Sequence, residues 1–244
     1  MNLLLLEPGE RVLASRDSRA VHIRRILRLH AGDSLRAGEI GGRTGIARIV
    51  RMDPEGIAVD FEPTLDPPAL APVEVLLGHP RPIVLRRLLR DLTAIGPARI
   101  LVAATELGER SYLGSNLWDD TYTPLLEGAS QGGTTLLPQL LRAASLDAAV
   151  SMLHSPRTHR LMLHPDANAA PFDAGPSPRG WWVAVAVGPE RGWSDRETDL
   201  LVSRGFSPRT LGTRVLRTET AATIAAWRAV SWYDGAHEGS TTDD

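Results

Sequence analysis

The chain has 244 residues, 43% of them hydrophobic, enough to build a sizeable core in one large domain or in a small and a medium one. Cysteine is absent and every one of the 27 basic residues is arginine, so disulfides, thiolate zinc sites, cysteine nucleophiles, Schiff bases and a P-loop lysine are excluded together. The net charge of -2 conceals a segregation: residues 11–51 carry ten arginines against Asp17, Asp33 and Glu39, whereas residues 52–80 carry six acids and no arginine. That local excess suits a phosphate-backbone binder, with a solvated basic face as the alternative.

In chain order, MNLLLLEPGE has neither the basic flank nor the length of a secretory signal, and no run reaches the roughly 20 apolar residues of a membrane span. The expectation is a cytoplasmic protein that does not engage a membrane. RVLA, DSLRAGEI, TGIARIVRM and GIAVDFEP, separated by Gly and Asp-Pro, predict a small, mostly β domain over residues 1–68. Within it, Ser18 to Leu29 has helical spacing, with Ser18 as N-cap. PTLDPPALAP (63–72), with four prolines, reads as a linker.

From residue 73 the pattern alternates between strands and helices. VEVLLG (73–78), RILVAAT (99–105), HRLMLH (159–164) and WWVAVAVG (181–188) read as buried strands, and SPRTLG (207–212) as a short one. Val84 to Ile95, Leu117 to Ala129, Leu146 to Leu153 and the run AATIAAWRAVSWY read as helices. This predicts an α/β domain over 73–236 with a parallel sheet covered on both faces, followed by a polar tail at 237–244.

Two loops stand out. Gly188-Pro189-Glu190-Arg191-Gly192-Trp193-Ser194 follows a buried strand, and Ser194 with Glu197 makes a capping box for the next helix. Beyond the carboxyl ends of parallel strands such turns bind ligands, although an ordinary tight turn has the same look. Leu211-Gly212-Thr213-Arg214-Val215-Leu216-Arg217-Thr218-Glu219-Thr220 leads into the last helix. Capping explains Thr218 and Glu219, but two arginines at the positive end of a helix dipole are electrostatically disfavoured and suggest a task. There is neither a GxGxxG nor a GxxxxGK[ST] sequence.

GPERGWS followed by LGTRVLRTETAA resembles the paired motifs of the SPOUT class of knotted methyltransferases, and most closely the RsmE family, the 16S rRNA uracil-N3 methyltransferases. His22-Ile23-Arg24-Arg25-Ile26-Leu27-Arg28 with Gly32-Asp33 resembles that family's PUA-like RNA-binding module. Glu109-Arg110-Ser111 and Trp118 resemble a mid-chain segment. The resemblance implies a trefoil-knotted SPOUT domain preceded by a PUA-like β-barrel, with S-adenosyl-L-methionine as cofactor, 16S ribosomal RNA of the small subunit as substrate, a homodimer and no metal. It assigns the cofactor to Leu163, His164, Gly188, Pro189, Glu190, Gly192, Leu211, Gly212, Arg214, Val215, Leu216 and Thr218. It assigns RNA contacts to Arg19, His22, Arg24, Arg25, Arg28 and Arg110.

Methyl transfer to N3 of uridine requires loss of the N3 proton. Glu190 or Glu219 could act as base, with Arg217 or Arg214 stabilising charge on O2 and O4, and a purely capping Glu219 is the alternative. The chain departs from the family at Arg191, where GPEGG has glycine, near Thr134, where an arginine is usual, and at Ala94-Ile95-Gly96-Pro97 in place of E-L-G-V. These departures leave open the same chemistry on another RNA, or an RNA-binding assembly protein that no longer methylates. His154, His159 and His164 lack the spacing of a metal pair. The tryptophans read as core or dimer-surface residues.

Overall fold

The computed structural model describes residues 2–154, 157–165, 169–172 and 181–238, with side chains to residue 233. It divides into two units: the chain up to Ala69 together with Leu126–Leu137, and Leu70–Leu125 together with the chain from Pro138 on.

The first unit contains β1 (Leu4–Leu6), β2 (Val12–Ala14), α1 (Ser18–His22), β3 (Ser34–Glu39), β4 (Thr44–Asp53) and β5 (Gly56–Leu65). They form one sheet in the order β1-β3-β4-β5-β2, curled into a half-barrel, with β1 parallel to β3 and the other pairs antiparallel. Ala47 and Ile49 of β4 and Ile57, Val59 and Phe61 of β5 alternate inward onto Leu4, Leu6, Leu13 and Ile23, the period of two that a half-buried strand requires. The amino-terminal leucines form a strand that the sequence reading does not assign. Leu4 and Leu6 enter this core while Leu3 and Leu5 face away and pack with Ala129 beside Leu126 and Leu137. Leu3 N–H donates to the Ser130 carbonyl at 3.1 Å and Ser130 Oγ donates back to the Leu3 carbonyl at 2.7 Å. A strand buried on both faces needs a second layer, which residues 126–137 supply.

Local details correct the expectation. Asp17, not Ser18, caps α1, its carboxylate accepting from Arg19 N–H at 2.8 Å. The helix expected to Leu29 is α1 followed by a π turn over Ile23–Leu27, ended by Arg28 at φ 55°. The linker is shorter than 63–72, because β5 continues to Leu65 and the next strand starts at Ala71. Thr134 is buried, with its Oγ accepting from Leu136 N–H.

The second unit contains β6 (Ala71–Gly78), α2 (Pro82–Ile95), β7 (Pro97–Ala103), α3 (Arg110–Leu113), a 3-10 turn (Asn116–Asp119) and α4 (Tyr122–Gly132), within which the chain passes to the first unit. It continues with β8 (Gln139–Ala143), α5 (Leu146–Ser151), β9 (Thr158–Leu163), β10 (Ala170–Pro171), β11 (Trp182–Val187), α6 (Asp195–Ser203), β12 (Ser207–Thr210) and α7 (Thr218–Glu238). The strands form a wholly parallel sheet in the order β10-β12-β9-β11-β6-β7-β8. One face packs Leu76, Leu101, Ala184 and Ala186 against Leu146, Ala149 and Val150 of α5 and Leu201 of α6. On the other face α7 packs against β6 and β11 and against α2, with the small residues Ala222, Ala225, Ala226 and Ala229 buried along it.

Here too the chain departs in places from its periodicity. α2 begins at Pro82, a residue suited to a first helical turn. The helix expected over Leu117 to Ala129 is interrupted at Asp120, whose carboxylate accepts from Thr123 N–H and restarts the chain as α4. The sequence reading does not anticipate β8 and β10. Helix α7 reaches Glu238, and the rest of the expected tail lies outside the described residues.

Candidate active site

Strands β12, β9 and β11 are neighbours, so the loops that follow them leave the sheet side by side at its carboxyl edge. They enclose a cleft of about 870 Å3. Its lining includes Leu163 and His164 at the end of β9, Gly188 to Trp193 after β11, and Leu211, Gly212 and Arg214 to Glu219 from the loop after β12 into the first turn of α7. Every cofactor candidate from the sequence is therefore brought into one cavity, as are Arg217 and Glu219.

The loop after β11 is shaped by close backbone approaches. A Cβ at Gly188 would lie 3.1 Å from Gly192 Cα, and one at Gly78, the end of β6, would lie 2.5 Å from Pro189 Cδ. Gly192 takes φ +74°, with its N–H donating to the Pro189 carbonyl at 2.8 Å. The capping box is present: Ser194 Oγ accepts from Glu197 N–H at 3.1 Å, and Glu197 Oε2 accepts from Ser194 N–H at 3.0 Å. The other oxygen of the buried Glu197 accepts from Glu106 N–H at 2.8 Å, anchoring the loop after β7 to the same corner.

The loop after β12 turns at Gly212, φ +126°, and is held by Thr210, whose hydroxyl donates to the Gly212 carbonyl at 2.8 Å. Beyond it Val215 is 85% exposed, an apolar side chain left on the cleft wall. Arg217 accepts Ala221 N–H at its carbonyl, and Thr218 is buried at the start of α7. The two candidate carboxylates differ. Glu190 Oε1 accepts from Arg81 N–H at 3.0 Å. The Glu219 side chain lines the cleft with no hydrogen bond or ion pair among the described residues.

The cleft has a wall that sequence reasoning missed: Arg81, Ile83, Val84 and Arg87 at the start of α2. Thr210, Pro165 and Trp193 were also not assigned to it. The β6–α2 turn, His79-Pro80-Arg81-Pro82, is a strand-to-helix turn at the same sheet edge and offered a signal, but its sequence contains no ligand motif. Below it, buried His79 is fixed by Pro80 and by Trp118, whose Nε1 is 3.2 Å from His79 Nε2.

The candidate RNA residues behave differently from one another. Arg19 is enclosed by Glu10 and Asp17, at 2.7 and 2.6 Å, and also donates to the Leu5 carbonyl. Its guanidinium holds the Asp17 carboxyl below the usual range. Arg24 donates to the carbonyls of Asp53 and Gly56. His22 is half-buried, while Arg25 and Arg28 are exposed. Arg110 is exposed at the start of α3 and is not among the residues lining the cleft. No group of three or more acidic or histidine side chains suited to a metal occurs among the described residues, and no described helix is long and apolar enough to cross a membrane.

Residues 67–230 match the family described as an RNA methyltransferase domain. A protein of Treponema pallidum named ribosomal RNA small subunit methyltransferase E is 38% identical over 236 residues, covering 92% of this chain and 89% of that protein. A protein of Borreliella burgdorferi named ribosomal RNA small subunit methyltransferase E 1 is 31% identical, covering 93% and 95%. A Legionella pneumophila structure, described as a methyltransferase in complex with the bound cofactor SAM, matches with a TM-score of 0.74 at 25% identity over 97% of this chain and 98% of that one. The methyltransferase E of Neisseria gonorrhoeae has the same TM-score at 18% identity, covering 93% and 95%, a likeness of fold.

Proposed function

This chain belongs to the RNA methyltransferase family, with the small subunit ribosomal RNA methyltransferase E proteins as its relatives, and from that premise we propose that it methylates N3 of a uridine in 16S ribosomal RNA, using S-adenosylmethionine. The observation that carries the reading is the convergence of three adjacent strand-end loops on one cleft. Its volume falls within the roughly 300–1,000 Å3 usual for cofactor sites. The close approaches at Gly78 and Gly188 and the turns at Gly192 and Gly212 shape its main-chain walls, and Leu211, Val215 and Leu216 add apolar surface. The fit is therefore to a nucleoside held by main-chain groups and aliphatic side chains.

When bound, S-adenosylmethionine supplies a methyl group already activated on sulfur. The protein's own task is to position the uridine and remove its N3 proton. Glu190 is engaged at the start of α2, so Glu219 is the carboxylate better placed to accept that proton. Arg217, two residues before it and also on the cleft, would donate to the uracil oxygens where charge builds as the N3–H bond breaks. The first unit would serve as the PUA-like RNA-binding module, through exposed arginines such as Arg25 and Arg28. The protein would act in the cytoplasm as a homodimer, which the exposed Ile224 and Trp227 of α7 support.

The test is calorimetric titration with S-adenosylmethionine and S-adenosylhomocysteine, followed by methylation of small ribosomal subunits from a strain lacking the gene and mass-spectrometric location of the methyl group. Binding of both ligands and a single 3-methyluridine in 16S RNA are expected. Methyl transfer to transfer RNA instead would assign the same chemistry to another substrate. A folded protein that binds neither ligand, with or without RNA, would overturn the reading in favour of a non-catalytic RNA-binding protein.

A further inference from the structure

Unpaired guanidinium groups of the second unit cluster at the cleft. Away from the cleft several are paired, Arg90 with Asp91, Arg99 with Glu74, Arg196 with Glu106 and Arg204 with Asp147, while the exposed Arg86 and Arg110 make no ion pair among the described residues. Around the cleft, Arg81, Arg87, Arg191, Arg214 and Arg217 have no side-chain hydrogen bond or ion pair among the described residues. Among the described residues, the only carboxylates in that lining are Glu190 and Glu219, and Glu190 already faces the amino end of α2. Unpaired like charges around one cavity repel each other, so the arrangement costs stability unless an anion completes it.

S-adenosylmethionine is the wrong anion for this surplus. Its single carboxylate is outweighed by its ammonium and sulfonium groups, so it brings net positive charge to the cleft. The arginines on the wall of α2 are therefore left available to a different anion. Ile83 and Arg87 are one turn apart and share a helix face. Ile83 is 62% exposed there, and Arg81 precedes the helix on the same wall. The hydrogen bond from Arg81 N–H to Glu190 ties this wall to the loop that carries Arg191.

We propose that Arg81 and Arg87, on the cleft face of α2, and Arg191 on the loop bonded to it, are positioning residues that hold the RNA backbone phosphates flanking the target nucleotide. The inference rests on the reading of the cleft as an RNA methyltransferase site, and names where the polymer, as distinct from the reacting base, is gripped. Guanidinium suits this task because its fork matches phosphate oxygens, while lysine retains the charge without the fork.

The test uses the full chain with small ribosomal subunits and methyl-labelled cofactor, comparing Arg81→Gln/Arg87→Gln with the wild type and with Arg90→Gln, which lies on the same helix outside the cleft lining. The double variant should raise KM for the subunits roughly tenfold with kcat nearly kept, and the cofactor Kd should not move. The slope of log KM against log salt should fall by about 1.4, about 0.7 for each phosphate no longer gripped. Arg81→Lys/Arg87→Lys should restore most of the affinity, which a merely structural role would not predict. An unchanged KM and salt slope, or a loss of cofactor affinity in step with KM, would overturn the proposal. Fluorescence anisotropy with an unmodified fragment of 16S RNA reads the same phosphate grip without turnover. Binding that depends on these arginines in a protein unable to methylate would therefore sink the functional reading and leave this one standing.

Discussion

The Glu190 carboxylate accepts a hydrogen bond at 3.0 Å from the backbone N–H of Arg81, the N-cap residue of α2, across 109 positions of sequence. It supplies what a glutamate at the third helical position supplies in a capping box, for a helix whose own N-cap side chain makes no such bond. The loop after β11 and the arginine-bearing wall of the cleft are thereby joined.

Glu190→Gln should consequently act mainly on stability. Loss of a carboxylate at a helix amino end costs about 0.5–1 kcal/mol, a fall in Tm of roughly 1–4 °C for a chain of this size. Thermal unfolding checks the first effect, and turnover should stay within roughly tenfold of wild type, since the proposed base, Glu219, is retained.

Glu219→Gln should do the reverse. With the proposed base replaced by an amide of the same shape, turnover should fall by about 10²–10⁴ while S-adenosylmethionine affinity and Tm remain close to wild type. Arg217→Ala should likewise lower kcat. Single-turnover kinetics with calorimetry separate the steps, and a Glu219→Gln enzyme with full turnover would return Glu219 to a purely structural role.

Gly78 lies at the end of β6, not in the cleft lining, yet it should control cofactor affinity. Its absent Cβ leaves room for Pro189, since an added one would lie 2.5 Å from Pro189 Cδ and 3.0 Å from Pro189 N. Gly78→Ala should push the loop out of register and weaken S-adenosylmethionine binding roughly 5- to 150-fold, on the scale of a one-atom overpacking cost of about 1–3 kcal/mol. Gly114→Ala, whose Cβ would come no closer than 3.9 Å to anything outside its neighbours, is the control.

His79 should make the fold sensitive to mild acid. Burial lowers its pKa below 6.5, and the positive charge of Arg142 acts in the same direction, against the opposing bond to Pro80. With Trp118 N–H donating to Nε2, the neutral ring is the one that fits. As pH falls through 6.5 the unfolded chain takes up a proton that the folded chain does not, so stability declines from there down to the folded pKa, and is fully present above 6.5. Between about pH 7.5 and about pH 5.5 the urea midpoint should fall more for wild type than for His79→Gln. Equal falls would refute the assignment; His159, also lowered by burial, contributes equally to both.

Glu74 is wholly buried in β6, where both carboxylate oxygens accept from His154 N–H, at 3.0 and 2.9 Å, and Arg99 pairs with it. Burial outweighs both partners and raises its pKa. Arg99→Ala leaves that carboxylate without its cation and should cost about 3–5 kcal/mol, read as a lower denaturation midpoint. Arg99→Ala/Glu74→Gln should be appreciably more stable than Arg99→Ala alone.

Short-range chemistry was legible in the sequence because it depends on neighbours along the chain. The apolar runs at 73–78 and 181–188 could only be buried strands, Ser194 and Glu197 could pair across a single turn, and the glycine-bearing loops after β11 and β12 announced tight main-chain turns. Resemblance grouped the residues of these loops as candidates for one site, and they do line one cleft. What depended on distant partners was not legible. Four leucines in a row carry no periodicity, and only the arrival of Ala129 on one face explains why β1 is apolar on both. Arg19 and Arg25 are the same residue type in the same basic segment. Yet one is enclosed by Glu10 and Asp17 while the other stays in solvent, because only the folded chain brings Glu10 to Arg19. The α2 wall of the cleft, and the difference between an engaged Glu190 and an unengaged Glu219, arise from sheet order: parallel strands place β6 beside β11, and loops far apart in the chain share one edge.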